Sequence, residues 1–138
     1  MIVYRVEHRD SKKGPWSHDD WHVARAGFVS KEYWHGSLPG PYADPSLGRL
    51  FKNRHLCGVE SVEKLVRWFP SKVRRQMHER GFVMRVFDVE TRALAVGRWQ
   101  VTFPRKRATL LGELPLRGMA GIRNGQFSPW SFRGKMQL

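Results

Sequence analysis

Residues 61–103 hold the pattern that most constrains the fold, a helical segment followed directly by strands. Ser61 has the chemistry of a helix N-cap, and the apolar residues after it recur on one face at helical spacing. A second helical segment, residues 71–80, follows Pro70 and ends before Gly81, which suits a C-terminal cap. After these helices the sequence predicts strands at residues 82–89, 93–96 and 99–103, with residues 108–111 as a further candidate.

Strands that follow one another without intervening helices favour antiparallel pairing, which predicts the α+β fold class. A first strand is predicted at residues 2–7, which are rich in β-formers and partly alternating. Residues 11–56 are predicted to form a long loop in the N-terminal half. We therefore predict one domain over residues 1–116, in which an antiparallel sheet of about four or five strands packs with two short helices. The basic, glycine-rich residues 117–138 are predicted to form a C-terminal tail.

The positive charge is large and lies mostly in the second half of the chain. The formal net charge is +13 over 138 residues. Residues 1–60 hold nine Lys and Arg against seven Asp and Glu, a net +2, whereas residues 61–138 hold sixteen against five, a net +11. Because clustered cations gain free energy by displacing counterions from phosphates, this distribution predicts nucleic acid or a ribonucleoprotein as the partner. A binding module for an acidic protein is an alternative that shares the charge argument.

The residues predicted to bind nucleic acid are cations of the C-terminal half and one aromatic residue. Arginine predominates among the cations, and its planar fork suits bidentate contacts to phosphate. A tryptophan in the tail would stack on a base if its ring is exposed. The alternative interpretation is a solvated basic surface over an aromatic core. The predicted set is Arg74, Arg75, Arg105, Lys106, Arg107, Arg117, Arg123, Trp130 and Arg133.

The sequence holds no strong motif for catalysis or for a cofactor. It therefore favours a non-enzymatic function without a cofactor. No segment approaches the ~20 apolar residues that span a bilayer, and the N-terminus lacks a signal-peptide pattern, so a cytoplasmic location without a membrane partner is expected. His18 and His22 have the i, i+4 spacing of metal ligands, but a third ligand is not evident, so no metal is expected. Cys57, two residues after His55, is interpreted as a buried structural residue.

Four stretches of the chain combine into a recognisable order of motifs. They are YRVE at residues 4–7, GP at residues 14–15, CGVESVEKLVRWF at residues 57–69 and GRWQVTF at residues 97–103. Together they resemble a family of small phage and prophage proteins, over residues 1–116. The resemblance implies a phage or mobile-element accessory protein in the host cytoplasm, and an anti-defence role such as anti-CRISPR activity is its corollary.

The same order of elements is also similar, more distantly, to ADP-ribosyltransferases of the Arg–Ser–Glu kind. This resemblance implies that Arg5 matches the arginine that holds the NAD phosphates and that Ser61 matches the serine of the middle strand. Gln100 falls where the catalytic glutamate belongs, and an amide lacks the negative charge that stabilises a developing oxocarbenium ion. The alternative function is therefore a transferase-like enzyme or an inactive NAD binder, and NAD is expected only under that alternative.

Overall fold

The described part of the chain folds into two α-helices, two short 3-10 helices and six strands. The computed structural model describes residues 1–14, 47 and 55–117. The helices are α1 (Val62–Trp68) and α2 (Ser71–Glu79). The strands, in chain order, are β1 (Ile2–His8), β2 (His55–Gly58), β3 (Phe82–Val89), β4 (Ala95–Val96), β5 (Val101–Pro104) and β6 (Ala108–Pro115). The predicted α+β class is confirmed.

The strands pair antiparallel in two sheets of three. The first sheet has the order β1-β3-β6, and the second has the order β2-β5-β4. The sequence predicts a single sheet of about four or five strands. The structure divides the strands between two sheets because β5 pairs with β2 and β4 and not with a strand of the first sheet.

The first sheet meets the second where β1 passes the end of β2. The Tyr4 amide donates to the Val59 carbonyl at 2.8 Å, and the Val59 amide donates to the Tyr4 carbonyl at 2.9 Å. Gly58 allows this approach, because a Cβ at that position would lie 2.6 Å from Val3 Cγ1 and 2.7 Å from the Tyr4 carbonyl oxygen.

Gly58→Ala is expected to lower the free energy of unfolding by about 1–3 kcal/mol, the usual cost of an extra group in a packed interior. The Tyr4 oxygen belongs to the backbone, so rotation of a side chain cannot relieve that contact. Chemical denaturation measures the loss. The control is Arg92→Ala, at a side chain that is 83% exposed, which should change stability by less than about 0.5 kcal/mol. A loss at Gly58 no larger than the control's would contradict the close approach.

Apolar clusters lie on both faces of the first sheet. On one face the helices cover the sheet, and Leu65 of α1 is buried with Tyr4 and Met84. On the other face Phe87 packs against Phe103 of the second sheet, with ring centroids 5.6 Å apart. The layers therefore run from the helices through the first sheet to the second sheet.

The helix ends follow the predicted capping chemistry. Ser61 Oγ accepts from the Lys64 amide at 3.1 Å, which confirms the predicted N-cap of α1. Pro70 occupies the N-cap position of α2. Gly81 has a φ of 89°, a left-handed conformation that lets the chain turn from α2 into β3, as predicted.

The predicted boundary between the domain and the tail lies at the end of the described residues. β6 ends at Pro115, and residues 15–46, 48–54 and 118–138 lie outside the described part. The division into a domain over residues 1–116 and a tail over residues 117–138 therefore stays a prediction. None of the helices in the described ranges has the length and apolar character needed to cross a membrane.

Candidate functional site

Glu7 lies at the centre of a cluster of charged side chains, on the face of the first sheet that meets the second. Its side chain is 0% exposed. Its Oε2 accepts from Arg5 Nε at 2.8 Å and from Arg105 Nη2 at 2.6 Å. Its Oε1 lies 3.1 Å from Arg85 Nε, in an ion pair without a hydrogen bond between the two atoms. Three guanidinium groups therefore surround one buried carboxylate.

The alternation of β1 and its register with β3 bring these side chains together. Successive residues of a strand point to opposite faces, so Arg5 and Glu7 share the face of Val3, while Tyr4 packs under the helices. Arg5 stands directly opposite Arg85 across β1 and β3. Like charges in opposed positions repel, and the Glu7 carboxylate between them offsets that repulsion.

Arg105 reaches the cluster from the turn that joins β5 to β6. This turn is a short 3-10 helix, Arg105–Arg107. The Arg105 guanidinium lies 5.5 Å from the centroid of the Phe87 ring, and its Nη2 also donates to the Lys12 carbonyl at 3.3 Å. The side chain keeps 35% exposure. Arg105 therefore links the buried carboxylate to the protein surface.

Glu113 of β6 forms the outer part of the cluster. Its Oε2 lies 3.4 Å from Arg85 Nη2, and its Oε1 lies 3.3 Å from Arg9 Nε. Arg85 Nη2 also donates to the Arg9 carbonyl at 3.1 Å. Because Arg9 and Glu113 are partly exposed, solvent screens this pair more than it screens the pairs of Glu7.

The other donors of Arg5 fix the cluster to β2. Arg5 Nη1 donates to the Cys57 carbonyl at 2.8 Å and lies 3.8 Å from Cys57 Sγ. Burial raises the pKa of the Cys57 thiol, and the charge of Arg5 acts in the opposite direction. A raised thiol pKa disfavours the reactive thiolate, and Cys57 is only 7% exposed, as its interpretation as a buried structural residue requires.

The cluster supplies positive charge and hydrogen-bond donors. Arginine stays protonated in proteins, and its guanidinium matches the geometry of carboxylate and phosphate oxygens. Among the described residues, four guanidinium groups contact only two carboxylates. The chemistry that this arrangement favours is the binding of an anion.

Comparison with known protein families identifies the family to which the chain belongs. The family described as the bacteriophage T4 Y00F protein matches residues 1–117. The chain belongs to this phage protein family. The predicted relation to small phage proteins is therefore confirmed. Neither the search of curated proteins nor the search of solved structures finds a match, and no comparison supports the resemblance to ADP-ribosyltransferases.

In this phage protein the two predicted phosphate contacts of α2 have different environments. Arg74 is 4% exposed, and its Nη1 donates to the carbonyls of Phe69 at 2.6 Å and Val66 at 3.3 Å. Arg75 is exposed. Arg74 therefore ties α2 to the end of α1 and has little surface to offer a phosphate, contrary to the expectation for it.

The turn between β5 and β6 holds three of the other predicted contacts. Lys106 and Arg107 are exposed beside the half-buried Arg105, and Arg107 Nη1 donates to Glu90 at 3.1 Å. Arg117, just after β6, is exposed as well. The remaining predicted residues lie outside the described part of the chain, and they are Arg123, Trp130 and Arg133.

The residues named by the transferase resemblance make contacts within the fold. Arg5 is bound by Glu7 and by the Cys57 carbonyl. Ser61 caps α1. Gln100 is 1% exposed and directly precedes β5, where its carbonyl accepts from the Gly97 amide at 2.8 Å. The resemblance stays a prediction without support from the comparisons.

The histidine pair with metal-ligand spacing, His18 and His22, lies outside the described residues. Within residues 1–14 and 55–117, no group of three or more His, Cys, Asp or Glu side chains is placed to hold a metal ion. His55 lies on β2 two residues before Cys57, and its Nδ1 is buried without a hydrogen-bond partner in that part of the chain.

Sequence reasoning missed most of the cluster, although part of it carries a local signal. Arg85 is a lone cation inside the apolar run of β3, where an unpaired charge would be costly. Arg5 and Glu7 alternate with apolar residues that the helices cover. The contact between Glu7 and Arg105 joins residues 98 positions apart, and nothing local indicates it.

Proposed function

We propose that this phage protein binds nucleic acid, free or within a ribonucleoprotein, through a basic surface centred on Arg105–Arg107. The observation that carries the proposal is the turn itself, in which three consecutive cations stand where β5 passes into β6. Lys106 and Arg107 are exposed, and Glu7 holds Arg105 beside them. Because both flanking strands are paired in sheets, the ends of the turn that carries these cations are held in fixed positions.

The proposed binding needs charge and little recognition of sequence. Cations that neutralise backbone phosphates release condensed counterions, and this gain does not depend on the bases. Residues 61–138, with a net charge of +11, supply a field that attracts a polyanion, and the exposed Arg75 and Arg117 add to it. We propose that the binding takes place in the cytoplasm of the host cell.

Removal of two exposed charges from the turn tests the proposed surface. In Lys106→Ala/Arg107→Ala, fluorescence anisotropy with labelled DNA or RNA should show weaker binding. The slope of log affinity against log salt concentration should become shallower by about 2, because each lost phosphate contact removes about one unit. Since the bases are not read, unrelated sequences should lose affinity to a similar extent.

The matched control, Lys64→Ala/Arg67→Ala, removes the same number of charges from α1, which covers the other face of the first sheet. Lys64 is 43% exposed and Arg67 is exposed, so neither change opens the core. The control should keep nearly the wild-type salt slope. Equal losses in the two variants would show dependence on net charge alone and would contradict a surface at the turn.

The same charge suits an acidic protein, and competition separates the two kinds of partner. Nucleic acid should displace any acidic protein that the chain captures if both use Arg105–Arg107. In the opposite case, excess nucleic acid does not reduce the capture of the acidic protein, and the chain binds neither DNA nor RNA. That result would favour the acidic protein as the partner and contradict the proposed function.

For a ribonucleoprotein partner, we propose an anti-defence role such as anti-CRISPR activity. Membership of a phage protein family and the basic surface support this form of the function. A phage targeted by a CRISPR system should plate better on cells that express the wild-type chain than on cells that express Lys106→Ala/Arg107→Ala. Equal plating on the two, at equal protein levels, would exclude the role for that system.

A further inference from the structure

Within the described part of the chain, the charged cluster around Glu7 holds more positive than negative charge. Four guanidinium groups share two carboxylates, in a set formed by Arg5, Arg9, Arg85, Arg105, Glu7 and Glu113. Two positive charges are therefore left without a carboxylate of their own among the described residues. Arg5 and Arg85 are 5% and 8% exposed, so water compensates little of their charge.

Backbone carbonyls compensate only part of the excess positive charge. The carbonyls of Cys57, Arg9 and Lys12 accept from the cluster at 2.8, 3.1 and 3.3 Å. A carbonyl oxygen carries a partial charge, whereas an ionised acceptor forms the stronger hydrogen bond with a guanidinium. Among the described residues the cluster is therefore electropositive, and this charge favours an additional anion.

Arg105 is the member through which the excess charge reaches the surface. Its Nη2 donates both to Glu7 Oε2 and to the Lys12 carbonyl. Its Nε and Nη1 have no hydrogen-bond partner within the described part of the chain, and the side chain is 35% exposed. The Phe87 ring and the Glu7 carboxylate hold the guanidinium in place, so Nε and Nη1 are already positioned to donate to an oxygen anion.

We propose that the exposed side of Arg105 binds one phosphate group, with Arg5 and Arg85 behind it as buried positive charge. The inference deepens the proposed function and rests on it for the source of the phosphate, which is the backbone of the nucleic acid. Arg105 is then the fixed contact of the basic surface, and Lys106 and Arg107 add exposed charge beside it.

Arg105→Lys is the decisive variant, because it keeps the charge and a partner for Glu7 but removes the planar fork. The probe is inorganic phosphate, titrated by calorimetry at constant ionic strength. The wild-type chain should bind one phosphate, and Arg105→Lys should bind it about 10-fold more weakly, the effect of one lost charge-assisted hydrogen bond. Lys64→Ala/Arg67→Ala, on α1 at the other face of the first sheet, should keep nearly the wild-type affinity for inorganic phosphate.

A measurement on the unchanged chain keeps the test independent of the folding of any variant. In proton–nitrogen NMR spectra of the arginine side chains, added phosphate should shift the Arg105 Nε–H resonance, and chloride at the same ionic strength should not. The inference is overturned by an unmoved Arg105 resonance, by the absence of saturable phosphate binding, or by phosphate affinity that Arg105→Lys leaves unchanged.

The inference and the proposed function fail in different ways. If DNA binding depends on Lys106 and Arg107 but phosphate leaves Arg105 unmoved, the basic surface stands and the phosphate site does not. If phosphate binds at Arg105 but neither DNA nor RNA binds, the site takes a free phosphate compound, and the nucleic-acid source is wrong.

Discussion

Glu7→Gln is expected to lower the free energy of unfolding by about 3–5 kcal/mol, the loss typical of removing one partner from a buried ion pair. Glutamine keeps the size of the side chain but carries no charge. Arg5 and Arg85 would then remain buried beside Arg105 without the carboxylate that all three contact. Urea denaturation with linear extrapolation measures the loss. It is a large share of the about 5–15 kcal/mol that stabilises a domain.

The control for this prediction is Glu60→Gln, which removes an equal charge from an exposed pair. Glu60 pairs with Lys64 at i, i+4, and the two side chains are 34% and 43% exposed. Such surface pairs contribute about 0.3–0.5 kcal/mol, so the control should stay close to wild type. A Glu7→Gln loss as small as the control's would show that the buried carboxylate does not hold the cluster together.

Phe87→Ala is expected to cost about 3–5 kcal/mol, the usual range for removing a buried phenylalanine side chain. Phe87 is 1% exposed and lies in the cluster that joins the two sheets, where it contacts Phe103. The change leaves a cavity between the sheets and also removes the ring beside Arg105. Thermal and urea denaturation both measure the effect.

Phe87→Leu is the matched variant, because it keeps most of the apolar volume. A hydrophobic replacement of similar volume costs less than about 1.5 kcal/mol, so this variant should be clearly more stable than Phe87→Ala. Equal and small losses in the two variants would contradict a packed core between the sheets. The phosphate affinity of Phe87→Leu also measures how much the ring contributes to positioning Arg105, because the packing in this variant is nearly intact.

The elements that the sequence predicts best are those with local signals. β3 occupies Phe82–Val89, the same residues as the predicted strand, because a continuous apolar run after Gly81 is a local feature. The predicted strand at residues 108–111 is too short. β6 runs over Ala108–Pro115, and Leu111 is the extra residue of a bulge, so the alternation breaks where the strand continues.

β2 was not predicted, because a strand of four residues that ends in glycine carries little periodicity. His55–Gly58 is defined by its pairing with β5, which lies far along the chain. The division into two sheets depends on this pairing. Such non-local choices arise from tertiary packing and are absent from the local pattern.

The candidate site divides in the same way between local and non-local features. The charge of Arg105–Arg107 and the exposure expected of a turn are visible in the sequence, and the structure exposes Lys106 and Arg107. Sequence alone does not separate Arg74 from Arg75. The carbonyls that hold Arg74 belong to the end of α1, and they become partners only when the helices pack.

The central claim, phosphate binding by a basic surface, is tested most directly by the salt dependence of nucleic-acid binding. Fluorescence anisotropy would follow the wild-type chain with labelled duplex DNA, single-stranded DNA and RNA between about 50 and about 300 mM salt. Log affinity should fall linearly with log salt, with a slope on duplex DNA of about −3 or steeper if all three cations of the turn contact phosphates. No binding at the lowest salt, or an affinity that salt does not change, would contradict the account.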